Sequence, residues 1–341
     1  LKSENNNKII FIICKKLCYT SIMSISKPLI ILFKFFCVLV GFVLALVLLV
    51  LLGLNLFKFG YYNEYFSLLS KEAKNPGLSE NFVPQGITHC DNLFVTVGYM
   101  ADDTNSRIYT VDYITGEVKH FPLISDGRSF VGHTGGIQYS NGYFYLANEG
   151  NSLYKFTAAS VYQKNGTKIE IGLPIKLNSN TSFVYGKENF LYVGEFHKNP
   201  EYPCTNEISY NGQTHYAIVE KYDISDLSKP LAVYSIPELV QGFCVKSDGT
   251  IVLSTSWSVN SSKFYIYEPE KIVKTGTSYN GADLYFLTEP SKTVKAPAMS
   301  EDLDIITIQN HEKVITMFES ACNKYVFGKF FFANYIASLG L

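Results

Sequence analysis

The stretch HTGGIQYSNGYFYLANEG, residues 133–150, holds a short apolar run, a turn and a second, more apolar run. Gly135-Gly136-Ile137 opens the first run, and the second runs into FYLANEG (144–150). Between them stands Asn141-Gly142, the preferred dipeptide of a two-residue type I′ turn, because both central positions need positive φ. The stretch predicts an antiparallel hairpin whose first strand starts on glycine.

The same unit recurs along the chain. Gln85-Gly86-Ile87 leads to LFVTVGY (93–99), Ser182-Phe183-Val184 to FLYVGEF (190–196), and Gln241-Gly242-Phe243 to IVLSTSW (251–257). Glu301-Asp302-Leu303 leads to VITMFES (314–320). The triplets start at residues 85, 135, 182, 241 and 301, spaced by 50, 47, 59 and 60 residues. Asp248-Gly249 repeats the type I′ signal in the fourth unit. Further strands follow: RIYTVDY (107–113), EVKHFPL (117–123), SLYKFTA (152–158), YAIVEKYDI (216–224), LAVYSIP (231–237), KFYIYEP (263–269) and DLYFLTE (283–289). Four strands per repeat of roughly 40–60 residues is the pattern of a β-propeller blade.

A lone antiparallel blade cannot bury both faces, so blades stack radially. Inner strands crowd the axis, which accounts for Gly86, Gly136 and Gly242 at their starts. The expected fold is all-β, a five-bladed β-propeller over residues 82–341. Six blades with one degenerate repeat, or a β-sandwich, are the alternatives. The last unit, ending KYVFGKFFFANYIASLGL, looks short of outer strands, so residues 78–84 are expected to complete it.

Ahead of the repeats lies FFCVLVGFVLALVLLVLLGL (35–54), without a charge. Its length as a helix is roughly 30 Å, one bilayer thickness. No small-x-small cleavage site follows, which favours an uncleaved signal anchor over residues 35–57. Lys15, Lys16, Lys27 and Lys34 precede the span, and mixed charges follow it. The positive-inside rule therefore places residues 1–34 in the cytosol and the C-terminal domain in an extracellular or lumenal space. Residues 1–22 precede Met23 and are expected to lie outside the working protein. Residues 58–81 read as a juxtamembrane stalk.

An oxidising compartment permits disulfides among Cys90, Cys204, Cys244 and Cys322, with the pairing open. The sequons at Asn165, Asn180 and Asn260 fit the same side of the membrane. Lys+Arg 29 against Asp+Glu 30 gives a net charge of -1, which excludes a nucleic-acid surface built on bulk positive charge.

Loops before the inner strand and after the second strand open on one end of a propeller channel. They gather Gln85, His133, Asn180, Gln241, Glu301 and Asp302 with Asp102, Asp103, Glu149, Glu195, His197, Ser256 and Glu319. Glu149, Glu195, Asp302 and Glu319 form a candidate oxygen set for Ca²⁺ or another divalent cation. His133 and His197 would extend it to transition metals. Tyr99 and Trp257 near the mouth are placed to stack on a sugar or peptide. No G-x-S-x-G, H-E-x-x-H, P-loop or G-x-G-x-x-G is present.

PQGI (84–87), HTGGI (133–137), VQGF (240–243), MSEDL (299–303) and FES (318–320) give the external domain a resemblance to β-propellers of the broad regucalcin/gluconolactonase and NHL-like kind. Lactonase members place an acidic metal ligand at the first inner strand, where this chain has Pro84-Gln85-Gly86. The resemblance thus implies the fold and carries over no activity. The expected function is a membrane-anchored ectodomain that binds a protein or carbohydrate ligand at the channel mouth through His133, Glu149, Glu195, His197, Gln241, Ser256 and Glu319. The alternative is a metal-dependent hydrolase or lactonase-like enzyme in the same channel.

Overall fold

The structure, a computed structural model, describes residues 2–325 and 327–341, with side chains from residue 27 onward. It divides after Tyr61 into two units. The first is one helix, Lys2–Tyr61. Its stretch Lys27–Tyr61 is long and apolar enough to cross a membrane, and it contains the expected 35–57 span. The expectation about residues 1–22 falls outside the described side chains.

Among the described residues, the second unit folds into a five-bladed β-propeller whose blade cores are antiparallel, with a separate two-stranded hairpin, Ile208–Tyr210 and Gln213–His215. From the inside outward, blade one is Phe82–Cys90, Leu93–Met100, Arg107–Asp112 and Val118–Ser125. Blade two is Gly136–Ser140, Tyr143–Asn148, Ser152–Thr157 and the short Ile175–Lys176. Blade three is Phe183–Lys187, Phe190–Gly194, Ala217–Asp223 and Ala232–Ile236. Blade four is Val240–Val245, Ile251–Thr255, Ser262–Tyr267 and Lys292–Ala296. Blade five takes Ser300–Ile308, His311–Phe318 and Tyr335–Leu339 from the chain's end. Its outermost strand is Leu69–Lys74, paired antiparallel with Leu69 opposite Leu339 and Lys74 opposite Tyr335.

That last pairing corrects two expectations. Residues 58–81 are not a free stalk, since Leu69–Lys74 belongs to the propeller, and residues 78–84 do not close it. Phe82 and Val83 instead begin the inner strand of blade one. A further correction concerns 282–287. That strand does not complete blade four; it forms a hairpin with Ile272–Tyr279 and adds in parallel to the outer edge of blade three. Lys292–Ala296 is the fourth strand of blade four.

The inner strands touch one another in cyclic order, closing the ring. Glycine permits this approach. A Cβ on Gly86 would stand 2.7 Å from the Ile137 amide nitrogen, and one on Gly242 would stand 2.8 Å from that of Leu303. In blade five the equivalent residue is Asp302, fully buried at the axis. Its Oδ2 accepts N–H bonds from Ile87 at 3.3 Å and Ile137 at 3.1 Å, tying blade five to blades one and two. Apolar clusters fill the spaces between blades, such as Ile87, Phe94, Ile306, Ile315, Met317 and Ile336 between one and five. Each such side chain contributes about 1.5–3 kcal/mol on burial.

Asn141 and Gly142 have φ of 49° and 81°, the type I′ turn expected. Asp248-Gly249 differs: only Gly249 has positive φ, 88°. Asp248 Oδ1 instead accepts the Thr250 N–H at 2.9 Å, an Asx turn in a longer loop.

Cys90, Cys204, Cys244 and Cys322 are free and buried, so the expected disulfides do not form. They lie on separate parts of the ring. Cys90 ends the inner strand of blade one, Cys204 sits in a blade-three insertion, Cys244 lies in blade four, and Cys322 lies between the second and third strands of blade five.

Candidate functional site

One end of the channel opens into a cavity of about 860 Å³. The starts of the inner strands and the ends of the second strands line it, as antiparallel hairpins dictate. Blade one supplies Gln85 and Tyr99, blade two His133 and Glu149, blade four Gln241, Ser256 and Trp257. Blade five supplies Glu301 and Glu319, with Lys324 and Tyr325 from the segment behind it.

One wall is acidic. Glu301 is 2% exposed and lines the cavity. Burial, then the charges of Glu319 and Asp302, push it well above the usual carboxylate range. Glu319 is also raised by burial, which outweighs the Tyr99 hydroxyl donating to Oε1 at 3.1 Å and the Lys324 charge. Burial and a neighbouring carboxyl both disfavour the charged form of Glu301. Lys324 Nζ donates to Tyr99 Oη at 2.8 Å and stands over both the Tyr99 and Tyr325 rings. His133 stacks on Tyr99 with centroids 5.2 Å apart, and burial lowers its imidazole, leaving it neutral at pH 7.

The facing wall is aromatic. Phe196 stacks on Trp257 at 6.1 Å, and Tyr202 meets both rings edge-on at 5.6 and 6.0 Å. Lys198 Nζ lies 5.6 Å from the Trp257 ring. An 860 Å³ hollow with carboxyls on one side and rings on the other is suited to an amphipathic small molecule.

His133, Glu149, Gln241, Ser256 and Glu319 therefore line the cavity as expected, together with Gln85, Tyr99, Asn180, Glu301 and Trp257. Five expected residues do not, two of them, Asp102 and Asp103, being exposed away from it. Glu195 turns into the protein, where its carboxylate accepts from the Ile218 N–H at 3.2 Å, the Asn180 N–H at 3.4 Å and the Asn206 side-chain amide. Burial outweighs those bonds and pushes it up to about 7. His197 is buried with Nδ1 accepting the Cys204 N–H at 2.9 Å, and it stacks on Tyr216. Asp302 is committed to the inner-strand amides.

The proposed oxygen set of Glu149, Glu195, Asp302 and Glu319 is consequently not assembled. Among the described residues no group of three or more His, Cys, Asp or Glu side chains is arranged to hold a metal ion. Tyr202, Lys324 and Tyr325 were not legible as site residues, because loops rather than repeat positions deliver them, whereas Phe196 stands at the repeat position of Trp257. Asn165 and Asn260 are exposed and Asn180 sits at the cavity edge.

The arrangement defines a five-bladed β-propeller with a mixed acidic and aromatic channel mouth. No protein-family model and no curated protein matches this sequence. Among solved structures, the PQQ-bound aldose sugar dehydrogenase of Streptomyces coelicolor is 13% identical, with a TM-score of 0.41 over 74% of this chain and 77% of that one. The glutaminyl cyclase of Myxococcus xanthus is 7% identical, with a TM-score of 0.42 over 80% and 94%. The WD40 β-propeller domain of Doa1 is 10% identical, with a TM-score of 0.37 over 75% and 77%. The blade assignment rests on strand pairing in this chain, and no ligand or reaction is transferred from these proteins.

Proposed function

We propose that this chain is a single-pass membrane protein whose propeller, on the extracellular or lumenal side, binds a small molecule in its channel mouth. The carrying observation is a cavity of ligand size, about 860 Å³, that sets the buried Glu301 and Glu319 carboxyls together with the rings of Phe196, Tyr202 and Trp257. The Lys bias before the apolar helix supports the orientation. Glycans at Asn165, Asn180 and Asn260 belong to the same reading. Glycosidase treatment of the native protein should shift its mobility, and Asn165→Gln with Asn260→Gln should reduce the shift. An untouched mobility in the wild type would refute the outward orientation.

The chain has a single tryptophan, and it lines the cavity. Trp257 emission is thus a built-in reporter. The full-length protein in detergent should show saturable emission changes with members of a panel of sugars, amino acids and amines, and Gln241→Ala should weaken them. A panel that moves neither emission nor thermal midpoint would remove the binding reading.

A second reading is acid–base hydrolysis, with protonated Glu301 as donor and ionised Glu319 as base. It is motivated by the two carboxyls, Glu301 and Glu319, that line the same cavity. No metal is needed for that chemistry. Turnover of an ester or glycoside, lost in Glu301→Gln while Trp257 still reports binding, would select it.

A further inference from the structure

We infer that the ligand of the channel mouth carries a protonated amine attached to an apolar ring or chain. The inference rests on the mouth being a small-molecule site and names the chemistry that site accepts.

Charge is the first ground. Glu149, Glu301 and Glu319 line the cavity against one lining ammonium, Lys324, which is already bonded to the Tyr99 hydroxyl. His133 does not offset the negative charge, since burial keeps that imidazole neutral. An anionic ligand is disfavoured by this field. A cation entering it favours the ionised forms of Glu301 and Glu319, which burial raises, and offers their oxygens charge-assisted donors.

The kind of cation follows from what surrounds the acids. Ca²⁺ takes six to eight oxygen ligands, and the described residues provide no cluster of three acids or imidazoles. An ammonium needs fewer partners and tolerates an aromatic face. The opposite wall is such a face: Trp257, Phe196 and Tyr202 form a contiguous ring surface. The protein already places Lys198 Nζ 5.6 Å from the Trp257 ring, so this wall accepts an ammonium within cation–π range. A ligand spanning both walls places its ammonium at Glu301 and its apolar part on the rings.

Benzylamine and benzyl alcohol test this, being alike in ring and size and differing in charge. With full-length protein in detergent at pH 7, benzylamine should bind about tenfold or more tightly than benzyl alcohol by Trp257 emission and calorimetry, a difference of about 1.4 kcal/mol. Its affinity should fall with added salt, and its heat should depend on the buffer's ionisation enthalpy as a proton leaves the buried acids. Glu301→Gln should erase the preference while benzyl alcohol binding persists; should that variant fail to fold, Glu319→Gln serves the same purpose. Equal affinities for the two probes, a preference that survives the substitution, or competitive displacement of benzylamine by Ca²⁺ bound to the same acids would overturn the inference. Benzyl alcohol binding alone overturns only the amine assignment. Silence from both probes and from the wider panel overturns the binding site as well.

Discussion

A Cβ added to Gly136 would stand 2.9 Å from the Val184 amide nitrogen and 3.2 Å from the Asp302 carboxylate, so neither backbone nor side chain has room to yield. Gly142, by contrast, has open space around it and is needed for its φ of 81°. Gly136→Ala should therefore cost about 1–3 kcal/mol through overpacking, more than Gly142→Ala; urea unfolding measures both. Asp302 offers a matching test. Its Oδ2 accepts from the amides of Ile87 and Ile137 and its Oδ1 from that of Leu303, so Asp302→Ala takes a partner from three buried donors, at about 1–3 kcal/mol each. Asp302→Asn retains one oxygen and should be milder. Ligand reporting by Trp257 should survive Asp302→Asn, because Asp302 does not line the cavity. The glycines were legible in the sequence because crowding at an axis admits little else. The role of Asp302 was not, since an acid beside Glu301 reads as a ligand until its amide partners are known.

Leu69–Lys74 shows how an element far away in sequence finishes the fold. It pairs with Tyr335–Leu339, so the ring is fastened by strands from opposite ends of the propeller. Removing residues 62–74 should expose the edge of blade five. Size-exclusion chromatography should then show self-association, and hydrogen exchange should accelerate first in residues 335–339. A monomeric product with unchanged exchange would contradict this role. The segment LSKEAK carries little strand signal, being charged and lacking β-branched residues, so burial against blade five decides its state. Two hairpins outside the blades were legible and were missed. Asn211-Gly212 and Asn280-Gly281 both have paired positive φ, at 48° and 81° and at 51° and 84°, the same turn chemistry as Asn141-Gly142. What no turn dipeptide discloses is that the second of these docks on blade three.

For the whole molecule, the buried acids set the pH response. Glu195, Glu301 and Asp302 are raised by burial in the folded protein. A carboxyl raised on folding stabilises fully below its unfolded value, about 4, and that stability is lost as pH rises through the folded value. For Glu195 the loss extends to about 7. His89 adds to the same trend: burial lowers it, but Asp304, 2.9 Å from Nδ1, outweighs burial and raises the imidazole. The exposed turn acids act oppositely. Asp112 is lowered chiefly by the Thr115 N–H, and Asp223 and Asp226 by the hydroxyls of Ser225 and Ser228. Their contribution is present above about 4 and lost as pH falls. The thermal midpoint should therefore peak near pH 4–5 and decline toward both pH 8 and pH 3. Differential scanning calorimetry across that range tests it, and Glu195→Gln should flatten the slope between pH 5 and 7.

The order of hairpins, the glycine at three inner strands and the apolar helix were set by the amino-acid sequence alone, because turn conformation, backbone crowding and hydrocarbon length act within a few residues. The membership of the cavity was decided only in three dimensions. Glu149, Glu195 and Glu319 share one repeat position, yet the insertion that carries Asn206 turns Glu195 inward while the other two face the mouth. Lys324, Tyr202 and the closing strand likewise arrive from segments whose place depends on partners many residues away. Burial and long-range pairing are properties of the assembled ring, and no local preference encodes them.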